Sequence, residues 1–93
     1  MKVKPKVFIA APLTSSGSED GNIRAVIEVA DALAALGYAP FIPHLFFFWN
    51  LISPHEREFW IELDKQWLLV CDCILRLPGV SDGADGEVLL AEA

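Results

Sequence analysis

The sequence predicts a three-layer α/β domain, a minimal parallel sheet of about three strands with helices on both faces. Three observations predict it. Apolar runs rich in β-branched residues alternate with helical patterns in the order β-α-β-α-β-α, and strands that alternate with helices specify a parallel sheet. The 93 residues suffice for one domain, near the lower limit for a layered unit. Of these residues 54% are hydrophobic, with three Trp and six Phe, which is material for a core and argues against disorder.

The elements follow in order. "VKPKVFIAA" reads as a buried strand from about Lys4 to Ala10, because apolar and β-branched residues run together. "PLTSSGSEDG" is a loop of some ten residues, a length that in a small domain usually accompanies function. "SED" followed by "NIRAVIEVADALAALGY" is a helix. Its apolar residues Ile23, Val26, Ile27, Ala30, Leu33 and Ala34 recur at spacings of three and four, while Arg24, Glu28 and Asp31 lie elsewhere on the wheel,. Gly37 suits the left-handed residue that closes such a helix.

"YAPFIP" is a short second strand, and its prolines place it at an edge,. "HLFFFWNLI" fits neither a clean helix nor an alternating strand. "SPHE" is a helix start, with Ser53 as N-cap, Pro54 at the first helical position and Glu56 completing a capping box,. That helix runs through "HEREFWIELDKQWLLVC". Phe59, Leu63, Trp67 and Val70 form its apolar stripe, widened by Trp60 and Leu68. "DCILRLP" is the third strand, and "GEVLLAEA" a final short helix. Right-handed crossovers put the first strand in the middle of the sheet. Ligands of such sheets bind beyond the carboxyl ends of the strands, where loops 11–21, 42–53 and 78–84 fall.

Composition removes several function classes. With a net charge of −6 and seven scattered basic residues, no phosphate-backbone stripe exists and nucleic acid is not an expected partner. No run approaches the roughly 18 apolar residues of a membrane helix. The start "MKVKPKVFIAAP" has too short an apolar stretch, broken by Pro12, for a secretion signal,. A cytoplasmic protein without membrane contact is expected. Cys71 and Cys73, flanking Asp72, read as buried small hydrophobes of a reducing compartment,. Two cysteines and two distant histidines do not make a zinc pattern, and no metal or cofactor is implied.

The stretch "GVSDGADGEV", residues 79–88, is the candidate for chemistry. It joins a strand to a helix, so it exposes backbone N–H groups at a positive dipole end. Ser81 or Asp82 can cap that helix, and Gly83 and Gly86 allow close approach to the backbone. Glu87 falls in the first turn or so, where the dipole favours a charged carboxylate at neutral pH. The plainer reading is that Asp82, Asp85 and Glu87 only complement the helix N-terminus. Asp64, late in the second long helix, and Asp72, just before the third strand, are the other candidate acids. Paired carboxylates suit glycosidic chemistry.

"VFIAAPLT", then "PFIPH", then "W-x-x-x-D-x-x-W-L-x-x-C-D", then "S-x-G-A-x-x-E" resembles the nucleoside 2-deoxyribosyltransferase superfamily, which includes 2′-deoxynucleoside 5′-phosphate N-hydrolases. The resemblance covers nearly the whole chain in order. It implies a flavodoxin/Rossmann-like fold and Glu87 as the nucleophile on the anomeric carbon of a deoxyribosyl unit. Asp64 precedes Asp72 by eight residues and Ser81 precedes Glu87 by six, as in the hydrolase branch. Asp64 would orient the sugar or assist the leaving base, and Ser81 with the N–H of Gly83 would bind a 5′-phosphate or 5′-hydroxyl. Phe8, Ala11, Pro12, His44, Trp49 and Asp72 fall at substrate-binding positions, with the base stacked on Phe46 or Trp49. The chain departs from the family at Phe8 and Ala11, where members often carry Tyr and Gly. It departs again at Pro12 and Thr14, where the hydrolase branch has a phosphate-binding Ser and Arg. Monophosphate and free nucleoside both stay open, as do transferase and hydrolase. The alternative is a non-catalytic α/β domain that binds a nucleotide-like ligand or a partner protein. "HLFFFWNLI" is expected to serve as core or subunit contact, because large apolar patches commonly mark interfaces, with a base-binding wall as the alternative. A homodimer or higher homo-oligomer is therefore expected at micromolar concentration in light scattering, and a stable monomer would contradict it.

Overall fold

A computed structural model describes residues 3–11, 19–78 and 82–92. Three strands form one parallel sheet: β1 (Lys6–Ala10), β2 (Ala39–Phe41) and β3 (Cys73–Arg76), in the order β2-β1-β3. The first strand is central and the second lies at an edge, as the crossovers and prolines predict. Phe8 pairs with Phe41 on one side and with Ile74 on the other. Helix α1 (Glu19–Ala35) connects β1 to β2, and α3 (Arg57–Val70) leads to β3, which α4 (Asp82–Glu92) follows.

"HLFFFWNLI", ambiguous in the sequence, forms a 3₁₀ turn over Pro43–Leu45 and then a short helix, α2 (Phe46–Ile52). None of the residues in α2 is buried. Phe46, Phe47 and Asn50 are half-buried while Phe48, Trp49, Leu51 and Ile52 are exposed, so apolar residues on both faces leave no helical stripe in the sequence. Ser53 closes α2 and does not open α3; the N-cap of α3 is Glu56, with no side-chain cap bond. Asn50 performs the joining role instead, its Oδ1 accepting from the His55 N–H and from Trp60 Nε1 at 2.9 Å each.

Four consecutive residues of β1, Val7 to Ala10, are buried. Because side chains alternate across a strand, they feed two separate clusters. Phe8 and Ala10 pack with Leu68 of α3 and Ala84 of α4, while Ile9 packs with Val26 and Ala30 of α1. The predicted stripe of α1 holds at Ile23, Val26 and Ala30, but Ile27 and Ala34 are exposed. On α3 only Leu68 is buried; Trp67 and Val70 lie open at 45% and 60% exposure. Trp67 instead stacks on Phe41 at 5.2 Å. Cys71 is half-buried and Cys73 exposed, both free thiols, so the expectation that both are buried fails. β3 is the other edge, and Cys73 lies at its start. Gly37 has φ +97° and closes α1 as its left-handed residue. Among the described residues no helix is long and apolar enough to cross a membrane.

Phe8 is fully buried at the junction of sheet, α3 and α4. Truncation to Ala is expected to cost about 3–4 kcal/mol, read as a lower midpoint in urea denaturation.

Candidate active site

Each acid of the candidate site stands one helical turn from the residue that anchors its helix. Asp64 precedes the buried Leu68 by four positions on α3, and Glu87 follows the buried Ala84 by three on α4. Such spacings place both members on one helix face. Leu68 and Ala84 share a cluster with Phe8 and Ala10, so packing them together also brings the two carboxyl groups together. The side chains of Asp64 and Glu87 hydrogen-bond to each other, and both are half-buried.

That pairing changes their acidity. Burial raises the Glu87 pKa most, and the charge and hydrogen bond of Asp64 add to it, carrying it to about 8; the nearby Arg76 guanidinium opposes the rise. Asp64 is raised by burial to about 6, while its hydrogen bond from Glu87 restrains the shift. Two carboxylates in one site cannot both ionise cheaply, so near neutral pH the pair holds one proton. It resides mainly on Glu87, which donates it to the Asp64 carboxylate. The expectation of a dipole-stabilised, charged Glu87 is therefore corrected. Glu87 is the sixth residue of α4, beyond the turn where the dipole acts, and burial beside Asp64 dominates. The second carboxylate oxygen, Asp64 Oδ1, is buried with no hydrogen-bond partner among the described residues.

Two cavities meet at Asp64. One, of about 280 Å³, runs between α3 and α4 and is lined by Arg57, Ile61, Asp64, Lys65, Leu68, Gly86, Glu87 and Leu90. The other, of about 200 Å³, is an aromatic cleft lined by Pro43, Phe46, Phe47, Asn50, Trp60 and Asp64. Phe46 and Trp60 pack against each other on its wall with centroids 5.7 Å apart. Among the described residues no cluster of His, Cys, Asp and Glu could hold a metal ion.

The remaining predicted residues divide. Ala11 and His44 stand beyond the carboxyl ends of β1 and β2, bonded to each other through His44 Nε2 and the Ala11 carbonyl at 2.9 Å. His44 is buried and ties the exit of β1 to the turn before α2. Phe8 is core, with its ring against Phe41 at 5.5 Å. Trp49 lines neither cavity; it packs edge-on against Trp60 and Phe59, and Trp60 takes the wall position instead. Asp72 lies at the other end of the sheet, before β3 begins, where its Oδ2 accepts the Lys6 N–H and its own N–H donates to the Lys6 carbonyl. It is not brought together with Asp64 and Glu87. Gly83 lies in the first turn of α4, whereas Ser81 and Pro12 fall outside the described residues. Sequence reasoning missed Arg57, Lys65 and Arg76, and also Asn50. The lone polar residue within "FFFWNLI" was the available signal for Asn50.

Residues 5–93 match DUF7768, a domain of unknown function, and the chain belongs to that family. Comparison with curated proteins and comparison with solved structures each gave no match.

Both acids bind protons more tightly in the folded chain than in the unfolded one, where they titrate near 4. The unfolded state therefore gains as pH rises, and the cost of the pair to stability grows between about pH 4 and pH 8. Glu87→Gln is expected to be more stable than the parent at pH 8, by about 1–2 kcal/mol after allowance for solvent access to the half-buried pair. The gain should shrink toward zero at pH 4, as followed by thermal denaturation across that range.

Proposed function

We propose that this domain cleaves or transfers the N-glycosidic bond of deoxyribonucleosides or their 5′-monophosphates, with Glu87 as nucleophile and Asp64 as its proton partner. The observation that carries the reading is the hydrogen-bonded pair of unequal acids where the α3–α4 cavity meets an aromatic cleft. Pairs of titratable groups held at different pKa values mark acid and base assignments, and two carboxyl groups on one site are the equipment of a retaining glycosidase. The fine fold of the reading is the three-layer, flavodoxin-like one, with α1 against one side of β1 and α3 and α4 against the other. A cytoplasmic homo-oligomer completes it, with the exposed apolar side chains of α2 at the subunit contact.

The chemistry runs through the existing hydrogen bond. A nucleophile must be ionised, so the proton on Glu87 passes to Asp64 as substrate enters, and Arg76 stabilises the carboxylate left behind. Glu87 then forms a bond to the anomeric carbon as the bond from that carbon to the base nitrogen breaks. The Asp64 proton goes to the departing base. Water or a second base reverses the sequence and releases Glu87. Developing positive charge on the sugar ring is stabilised by the adjacent anion. Phe46 and Trp60 offer the faces on which an aromatic base stacks, and the Asp64 Oδ1 that lacks a partner can accept a hydrogen bond from substrate.

The test is incubation with the four deoxynucleosides and their monophosphates, with and without an acceptor base, followed by chromatography. Base release is expected, falling at least about a thousandfold in Glu87→Gln; release that persists unchanged in the variant removes Glu87 as nucleophile. A singly protonated pair is the competent form, so kcat/KM is expected to be bell-shaped with limbs near pH 6 and 8,. Asp64→Asn is expected to lose one of those limbs.

A further inference from the structure

Of the seven Lys and Arg residues of an acidic chain, Arg57 and Lys65 line the α3–α4 cavity together with the acid pair. Both are exposed, and among the described residues neither forms a hydrogen bond or an ion pair. Nor do they serve to neutralise the acids. The charge of Asp64 and Glu87 is governed by burial, by each other and by Arg76. Two cationic residues thus line a cavity whose carboxyl groups are hydrogen-bonded to each other rather than to them.

Their spacing is that of a clamp. Arg57, Ile61 and Lys65 succeed one another at four-residue intervals on α3, so they share a face, and the Cα atoms of the two cations are about 12 Å apart. Ile61, also lining the cavity, lies between them as an apolar floor that offers a ligand no hydrogen bond. Both side chains are long enough to converge above it. The guanidinium presents a fork of donors and the ammonium a point charge, and this combination suits a phosphoryl group.

We infer that Arg57 and Lys65 form a phosphate subsite, holding the phosphoryl group of a substrate whose sugar lies over Asp64 and Glu87. The inference rests on the glycosidic reading above and narrows it to phosphate esters. It also moves the phosphate from the turn at Ser81 and Gly83, where resemblance puts it, to the face of α3. The volume of about 280 Å³ is at the small end for ligand pockets and fits a sugar phosphate, with the base directed past Asp64 into the aromatic cleft. On a chain of net charge −6 this paired positive charge also favours approach of an anion at that spot over others.

The experiment measures binding of inorganic phosphate, a deoxynucleoside and its 5′-monophosphate by titration calorimetry, alongside base release. The proteins are the parent chain, Arg57→Gln/Lys65→Gln, and an Arg24→Gln/Lys4→Gln control of equal charge change. The parent is expected to bind the monophosphate at least tenfold more tightly than the deoxynucleoside. That preference should collapse to within about twofold in the α3 double variant, persist in the control, and weaken with salt. Equal binding of the two ligands by the parent overturns the inference, as does a preference that survives the double variant. Binding of inorganic phosphate without the monophosphate overturns it as well. Loss of the preference together with absent base release would retain the subsite and defeat the catalytic reading, so the two failures are distinguishable.

Discussion

β1 is hydrogen-bonded on both sides and buried from Val7 to Ala10, and the remaining elements are arranged around that fact. A strand enclosed on both faces needs apolar cover on each. α1 supplies it at Ile9, and α3 with α4 supplies it at Phe8 and Ala10. The small side chains of Ala10 and Ala84 let α4 settle close to the strand. The acid pair follows from this packing, since Asp64 and Glu87 are one turn from Leu68 and Ala84. The site is thus built on rigid elements rather than on loops, which is how reactive groups are held in register.

Burial sets the chemistry of that pair. A carboxyl in the first turn of an exposed helix would be ionised and inert toward its neighbours. Moved a turn further in and set against a second acid, it keeps its proton at neutral pH. Stability is given up there, because an apolar or amide side chain would sit more comfortably at position 87. Such local conflicts between stability and chemistry concentrate at functional sites.

Much of the fold was legible from the sequence, because β1 and β3 show as short apolar runs, α1 shows its period, and Gly37 marks a real left-handed residue. The site was legible in part. Asp64 and Glu87 could be named from motif spacing, but their contact depends on tertiary packing that no local pattern carries. The protonation of Glu87 was missed for the same reason, since burial by a helix distant in the chain outweighs the local dipole. At α2 the reasoning failed for a different cause. A seven-residue helix with no buried residue has no stripe to reveal it. Ser53 and Pro54 resembled a helix start, yet α3 begins later, after Asn50 has captured the His55 N–H. Asp72 shows the reverse error: a conspicuous acid proved to be a backbone latch on Lys6.

That latch joins residues 66 positions apart, and the whole β1–β3 ladder shares the same long span. During synthesis, at roughly 5–20 residues per second, β1 emerges first and meets β2 within seconds, yet its other edge stays unpaired until residues 73–76 have followed. For that interval β1 is held on one side only, and Phe8 and Ala10 lack the cover of α4, which is made only after β3. Long-range parallel pairing of this kind is slow to form. Of the three strands β1 is made before its partners and enclosed last, so the nascent chain is open to aggregation until β3 and α4 have arrived.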